Sequence, residues 1–261
     1  GLGINYMAQE SDLIIENLKV GFNNGPMYDI DEIVRFNSAV STSNGVNIRP
    51  DVWLFPFLNV YGIFAKTDLS TAIGAGVYIP NQDGEWTDVM DFNTEANFQG
   101  TTAGIGFTPT IGVGGGWFAL DMNVSWTDVP ALDEPAMAFV LGPRFGKTFK
   151  LKNQDQNINV WTGAFRLHIN SGTSGSLLLS ELISTDELQT KVDNGIIKVE
   201  DTQVQVDDWW NGLTNQQQNN PINIAKYETA NRALETAGGF LNSIDSALND
   251  EESASVHYSL D

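Results

Sequence analysis

The chain contains two histidines, His168 and His257, and a serine follows each of them closely in the sequence. Ser171 comes three residues after the first, and Ser259 two residues after the second. A serine within reach of a histidine is the pair that many hydrolases use to make a nucleophile, and an acid must orient the imidazole. No spacing here supplies that acid. We therefore favour hydrogen-bonded histidines without a catalytic role, and we keep a hydrolase as an alternative.

Charged and amide side chains also recur at alternate positions of several segments. Alternate residues of a strand share one face, so neighbouring strands would bring these side chains together. They would either fill a narrow interior with ion pairs and hydrogen bonds or line a small polar pore or pocket. We favour the filled interior, because a barrel of eight to ten strands has little room inside. The predicted lumen-lining residues are Asn47, Arg49, Asp51, Asp121, Asn123, Arg144, Arg166 and His168.

Neither a metal site nor a cofactor site is predicted. The acidic segment 81–95 lacks the twelve-residue spacing of a calcium-binding loop, and the chain has no cysteine for a thiolate site. The glycine-rich run 112–116 lacks the lysine and the following helix of a phosphate-binding loop. We expect a protein without catalytic residues, metal or cofactor.

Residues 117–127 alternate between large apolar and small polar side chains. In a soluble sheet, the polar face would usually carry longer charged side chains. A face of Ala, Asp, Asn, Ser and Thr is instead typical of a strand with lipid outside and a narrow polar lumen inside. The same alternation recurs in 101–113, 137–149 and 161–170. The predicted lipid-facing residues are Phe118, Leu120, Met122, Val124, Trp126, Phe139, Phe145 and Phe165.

Seven strands are predicted within residues 1–170, and the connectors between them alternate in length. Short turns are expected at 55–57, 114–116 and 152–157, with tryptophans such as Trp53 and Trp117 near that rim as membrane-interface aromatics. Short turns at one rim and longer loops at the other are typical of outer-membrane barrels. The predicted fold class is therefore an all-β, antiparallel, up-and-down transmembrane β-barrel. The strands are placed at 2–20, 34–55, 57–70, 98–113, 117–128, 137–151 and 158–170.

Residues 171–255 are predicted to form an acidic, partly helical extracellular insert, in which Asp193-Asn194-Gly195 is compatible with a hairpin turn. An apolar seam at helical spacing runs from 227 to 248 and would contact the barrel or another envelope protein. Alternation resumes at 256–261, which is the expected start of an eighth strand. A complete barrel would have about ten strands. We therefore expect that further strands follow or that another chain supplies them. The seam consists of Tyr227, Ala230, Leu234, Ala237, Leu241, Ile244 and Leu248.

Composition excludes some partners. The net charge of −20 argues against nucleic acid. No run of about 18 apolar residues exists, so no membrane helix is expected, and the mean hydropathy of −0.17 does not argue against strands that hide their apolar face by alternation. The expected surroundings are outer-membrane lipid or detergent.

Three stretches resemble a poorly characterised group of bacterial outer-membrane β-barrel proteins: 51–62 (DVWLFPFLNVYG), 124–128 (VSWTD) and 141–146 (LGPRFG). The resemblance implies about ten strands and location in the bacterial outer membrane, with a signal peptide that is not present in this sequence. The expected work is surface binding, structure or passage of a small polar solute. The alternatives are a membrane-embedded lipid hydrolase and a soluble β-sandwich adhesin, the latter distinguished by dissolving without detergent.

Overall fold

The computed structural model describes residues 1–23, 25–151, 156–170, 174–250 and 254–260. The protein is mainly β structure with few helices, and its large sheet is a curled, antiparallel half-barrel. The elements are β1 Leu2–Asp12, β2 Leu18–Phe22, β3 Tyr28–Asp29, β4 Val34–Phe55, β5 Leu58–Pro80, β6 Trp86–Val113, β7 Gly116–Asp128, β8 Ala136–Lys150, β9 Asn157–Gly163, β10 Arg166–Asn170, β11 Ser174–Leu178, α1 Leu179–Leu182, α2 Thr185–Gly212, α3 Asn215–Gln218, α4 Pro221–Leu248 and β12 Ser255–Leu260.

The large sheet has eight strands in the order β1-β4-β5-β6-β7-β8-β10, and β9 also pairs with β8. From β4 to β8, neighbours in the chain are neighbours in the sheet, which is the up-and-down connectivity expected from the alternating turns. The predicted mainly β, antiparallel architecture is thus confirmed at this coarse level. β9 and β10 keep one common register on β8, with Trp161 opposite Gly146 and Arg166 opposite Leu141.

Residues 71–97, which were expected to connect the strands predicted at 57–70 and 98–113, do not form a long loop, because β5 continues to Pro80 and β6 begins at Trp86. Only a tight turn separates them, in which the Asn81 side chain accepts hydrogen bonds from the backbone N–H groups of Asp83 and Glu85. The acidic segment 81–95 is therefore largely strand. These residues were not predicted to be strand, because this part of β5 and β6 packs into a hydrophobic core. The alternation of lipid-facing and lumen-facing side chains is therefore absent there.

The predicted eighth strand is not part of the large sheet. β12 lies in a separate four-stranded sheet of order β11-β12-β2-β3, with Val256 opposite Phe22 on one side and Leu177 on the other. The first predicted strand is likewise divided, since β1 ends at Asp12 and Leu18–Phe22 joins this smaller sheet. Period-two alternation identifies a strand but does not say which sheet it joins. Position 261 lies outside the described residues.

The chain forms two compact units, and the second collects segments from both sides of the predicted division at residue 170. We call residues 1–9, 43–69 and 98–172 the sheet unit, and residues 10–42, 70–97 and 173–261 the helical unit. β4, β5 and β6 each contribute residues to both.

The core of the helical unit is built around α4. Its N-terminus is capped by the Asn220 side chain, which accepts a hydrogen bond from the Ile222 N–H, and Pro221 occupies the first helical position. Of the apolar seam, Ala230, Leu234, Ala237, Leu241 and Ile244 are buried, and Tyr227 and Leu248 pack against the same core at partial exposure. Among the described residues, no helix is both long and apolar enough to cross a membrane.

An exposed ion pair in the helical unit makes its stability depend on pH. The Arg232 Nε and Nη2 groups donate to the two Glu32 carboxylate oxygens at 2.8 and 2.6 Å, and these hydrogen bonds lower the pKa of Glu32. A lowered folded-state pKa gives stability that is present above the unfolded value and lost as pH falls through the folded one. We expect Glu32→Gln to be destabilising at neutral pH, with the difference shrinking once the pH falls below the ordinary glutamate pKa of about 4.3. Urea unfolding across pH measures this, and Glu235→Gln on α4 is the control; a difference independent of pH would contradict the assignment.

Candidate site on the polar face of the sheet unit

Strand β7 lies between β6 and β8, and its register separates two faces of the sheet unit. Phe118 lies opposite Ile111 and Phe145, Met122 opposite Phe107 and Leu141, and Val124 opposite Ile105 and Phe139. Residues directly opposite each other share a face, so these side chains form one continuous apolar face. Several of its large members are exposed, including Phe107 at 46%, Phe139 at 42% and Phe145 at 58%. Leu120 and Trp126 lie on this face too, by alternation with Met122.

The opposite face carries a charged network around Asp121, which lies across from Gly142 of β8. Asp121 Oδ1 accepts hydrogen bonds from Tyr61 Oη and Thr108 Oγ1, both at 2.7 Å. The guanidinium groups of Arg49 and Arg144 each lie 3.6 Å from one of its carboxylate oxygens. One carboxylate thus ties together side chains from β4, β5, β6 and β8. We call these five residues the Asp121 network.

Tyr61 is the most deeply buried member of the network, with 2% of its surface exposed. The Arg49 guanidinium carbon lies 3.3 Å from the Tyr61 ring centroid, a cation–π arrangement, and Asn123 Nδ2 donates to Tyr61 Oη at 3.2 Å. The ring fits because Gly106 of β6 has no side chain: a Cβ at that position would collide with the Tyr61 ring.

This close approach predicts that Gly106→Ala is destabilising. The added methyl group must displace the Tyr61 ring and the hydrogen bond to Asp121, which should cost about 1–3 kcal/mol as overpacking does elsewhere. Gly112→Ala is the matched control on the same strand and face, because a Cβ there meets only the Gly116 carbonyl oxygen, at 3.9 Å. Unfolding of both variants in denaturant measures the difference, and equal stability would show that the Tyr61 position is adaptable.

Next to the network, the polar face holds an open cleft of about 830 Å³, which we call the tryptophan cleft. Its distinctive members are Trp53, Trp117 and Trp161, accompanied by Arg49 and Arg144. Trp117 and Trp161 both lie opposite Gly146, and a Cβ at Gly146 would collide with the Trp117 ring. The remaining lining residues are Gly3, Asp51, Asn59, Thr108, Thr110, Ala119, Thr148 and Asn159.

The register corrects the expected role of two of these tryptophans. Trp53 and Trp117 were expected among membrane-interface aromatics, but both line the cleft, and Trp117 shares the face of Ala119 and Asp121. An indole at the end of a strand fits a membrane interface or a polar cleft equally well, and only the phase of alternation distinguishes the two. The odd numbering that Trp117 shares with Asp121 could have placed it in the cleft.

Of the predicted lumen-lining residues, the structure brings Arg49, Asp121, Asn123 and Arg144 together. Asp51 lies in the adjoining cleft and accepts a hydrogen bond from Asn59 Nδ2 at 2.8 Å. The buried Asn47 Oδ1 has no hydrogen-bond partner among the described residues. Tyr61, Thr108 and Asn59 were missed: a tyrosine in an apolar run such as 57–64 resembles a membrane-facing side chain.

Arg166 and His168 do not join the Asp121 network. The register places Arg166 opposite Leu141 and His168 opposite Phe139, on the apolar face, and by alternation Phe165 falls on the face of Asp121. The alternation predicted in 158–170 is present, but the two faces are exchanged: the side chains expected on the polar face lie on the apolar face, and the reverse. Phase cannot be read from one strand alone, because a one-residue difference in register exchanges the two faces.

Among the described residues, no carboxylate bonds to a histidine that lies beside a serine, and Asp250 reaches the cluster around His257 only through Asn23 Nδ2, at 3.3 Å. His257 Nε2 lies 3.3 Å from Ser255 Oγ, and that hydroxyl also lies 3.3 Å from Asn23 Oδ1, an amide oxygen. Within the described part of the chain, His168 makes no hydrogen bond or ion pair, and Ser171 lies outside it. Across the same ranges, no three His, Cys, Asp or Glu side chains are grouped to hold a metal ion.

The chain matches no known protein family, no curated protein and no solved structure.

Proposed function

We propose that this chain is part of a bacterial outer-membrane β-barrel whose apolar face contacts lipid and whose polar face lines a narrow lumen. Its function is then to bind a partner at the cell surface, to serve a structural role, or to let a small polar solute pass, without catalysis. The observation that carries the proposal is the alternation, in register across β6, β7 and β8, of an apolar face with several exposed large side chains and a polar face that carries the Asp121 network.

The exposed apolar face supports lipid as its solvent. A continuous apolar surface of this kind is rare on soluble monomers, where it favours association. In a soluble β-sandwich these side chains would be buried between two sheets, whereas Phe107, Phe139 and Phe145 are about half exposed within the described residues. Lipid solvates such a face without further packing.

The polar face supports a narrow lumen. Asp121 pairs with the guanidinium groups of Arg49 and Arg144 and accepts hydrogen bonds from the Tyr61 and Thr108 hydroxyl groups. Asp51 accepts a hydrogen bond from the Asn59 amide. Small barrels fill their interior with side chains or hold one small ligand. The structure therefore favours a filled lumen that opens into a binding cleft over a wide channel.

The acidic, mainly helical part of the chain, 181–255, is proposed to be extracellular. Short turns follow β4 and β6, and in outer-membrane barrels such turns face the periplasm. Counting strands from these turns, the connection that follows β10 belongs to the outer side. A second envelope protein is the partner we propose for this segment, since it carries exposed apolar side chains such as Ile197 and Val204.

Extraction and gel migration test the proposal. We expect the protein to stay with the membrane pellet in salt or urea, to require detergent for extraction, and to migrate faster on a gel when unheated than when boiled. Release into buffer as a monodisperse protein without detergent would contradict the proposed barrel and favour the sandwich.

A further inference from the structure

We infer that the tryptophan cleft is a binding site for a neutral saccharide. The inference rests on the proposed function, because it names the class of polar solute that the lumen face would bind. It starts from the three tryptophans, which converge on one cleft from β4, β7 and β9.

The indole surfaces in the cleft are available to a ligand. Trp53 is 54% exposed and Trp161 is 59% exposed, and Trp117 is half-buried against the glycine at 146. The polar side chains that line the same cleft are hydroxyls, amides and paired charges, such as Thr110 and Asn159. Sites for small molecules combine apolar and aromatic walls with a few placed polar groups, in volumes of about 300–1,000 Å³, and this cleft of about 830 Å³ lies within that range.

The charges of the cleft favour a neutral ligand. Arg49 and Arg144 both lie near Asp121, and Asp51 is a further carboxylate of the lining. Both guanidinium groups already lie 3.6 Å from Asp121, and Asp51 Oδ1 lies 3.6 Å from the N-terminal ammonium group of Gly1, so each of these charges has a partner within the protein. Binding of an anion would have to break existing ion pairs.

A pyranose ring matches this arrangement. One face of the ring is formed by C–H groups and packs on an aromatic surface, while its hydroxyl groups donate and accept hydrogen bonds at the edge. A small inorganic ion would not use the indoles, and a purely apolar molecule would leave the polar lining unpaired.

The test is isothermal titration calorimetry of the full chain with maltotriose, cellotriose and inorganic phosphate. The protein is kept in a polyoxyethylene detergent, since detergents with sugar headgroups would compete for the cleft. Trp117→Ala removes a cleft indole, and Trp126→Ala on the same strand is the matched control, because Trp126 lies on the apolar face opposite Met137.

We expect at least one trisaccharide to bind, Trp117→Ala to weaken binding by about tenfold, and Trp126→Ala to leave it unchanged. Trp161→Ala provides a second variant, with an exposed indole, in case Trp117→Ala does not fold. Failure of both trisaccharides to bind, tighter binding of phosphate, or an equal loss in Trp126→Ala would overturn the inference. Heat-modifiable migration of the same samples keeps the two proposals separate: if it is present without saccharide binding, only the inference fails, and if it is absent, the proposed barrel fails.

Discussion

Replacing Asp121 by alanine should destabilise the sheet unit by about 3 kcal/mol, the largest effect that we expect from one polar substitution. The carboxylate accepts hydrogen bonds from Tyr61 and Thr108 and lies near two guanidinium groups. Its removal leaves a buried tyrosine hydroxyl without that acceptor and places Arg49 and Arg144 on the same face without the charge between them.

Two experiments measure this effect. The first is the heating temperature at which the faster-migrating, folded band disappears from the gel, and the second is denaturant unfolding in detergent. Asp128→Ala is the control, because Asp128 is exposed at the end of the same strand and takes no part in the network. Asp121→Asn should recover part of the loss, since an amide oxygen can still accept the hydroxyl hydrogen bonds. If alanine at 121 is tolerated as well as alanine at 128, the network does not hold the four strands together.

Placing an arginine at Phe107 should strongly impair insertion into a membrane. Phe107 lies in β6 opposite Met122 and is 46% exposed. In water, a charge at a half-exposed position would cost little. On the lipid face of a barrel, arginine near the middle of the bilayer costs about 2–4 kcal/mol.

Folding into lipid vesicles, followed by gel migration, tests the arginine substitution. Ile197→Arg in α2 is the matched control, with a similarly exposed side chain of 55% outside the sheet unit, and it should fold like the unsubstituted chain. Equal folding yields for both variants would show that the apolar face does not meet lipid.

The individual strands of the sheet unit were largely predictable, whereas the relations between strands were not. Alternation in 117–127 correctly separated Leu120 and Met122 from Asp121 and Asn123, because a strand fixes the relative faces of its own residues. The phase of β10 relative to β8 depends on which residues pair across the strands. The sequence of 158–170 carries no information on that pairing. Arg166 and His168 were therefore predicted on the polar face with Asp121, whereas they lie on the apolar face.

The helical unit shows the same limit in another form. The period of the α4 seam was readable, but 193–195 was expected to turn, whereas α2 continues through it as a helix. Gly195 is present there for packing: a Cβ at this position would lie 3.1 Å from the Leu241 side chain, so the glycine lets α2 and α4 approach closely. A glycine after Asp and Asn predicts a turn locally, and only the partner helix explains it.

The sheet arrangement of the tryptophan cleft likewise depends on long-range pairing. Trp53, Trp117 and Trp161 are far apart in the chain, and the order β4-β5-β6-β7-β8 brings their strands into one sheet. The three tryptophans lie on the same face of the sheet because of the register between the strands. No single segment of the sequence determines that register.

Because the chain has no cysteine, single cysteines can be introduced and spin-labelled one at a time along β7. In lipid vesicles, labels at positions 120, 122 and 124 should collide mainly with dissolved oxygen, which concentrates in the hydrocarbon layer. A label at position 125, which lies on the polar face with Asp121 and Asn123, should instead collide with a water-soluble nickel complex. This alternation with a period of two residues is the result that the account predicts. Equal access of the nickel complex to both faces, or exclusion of both reagents from 120, 122 and 124, would contradict it.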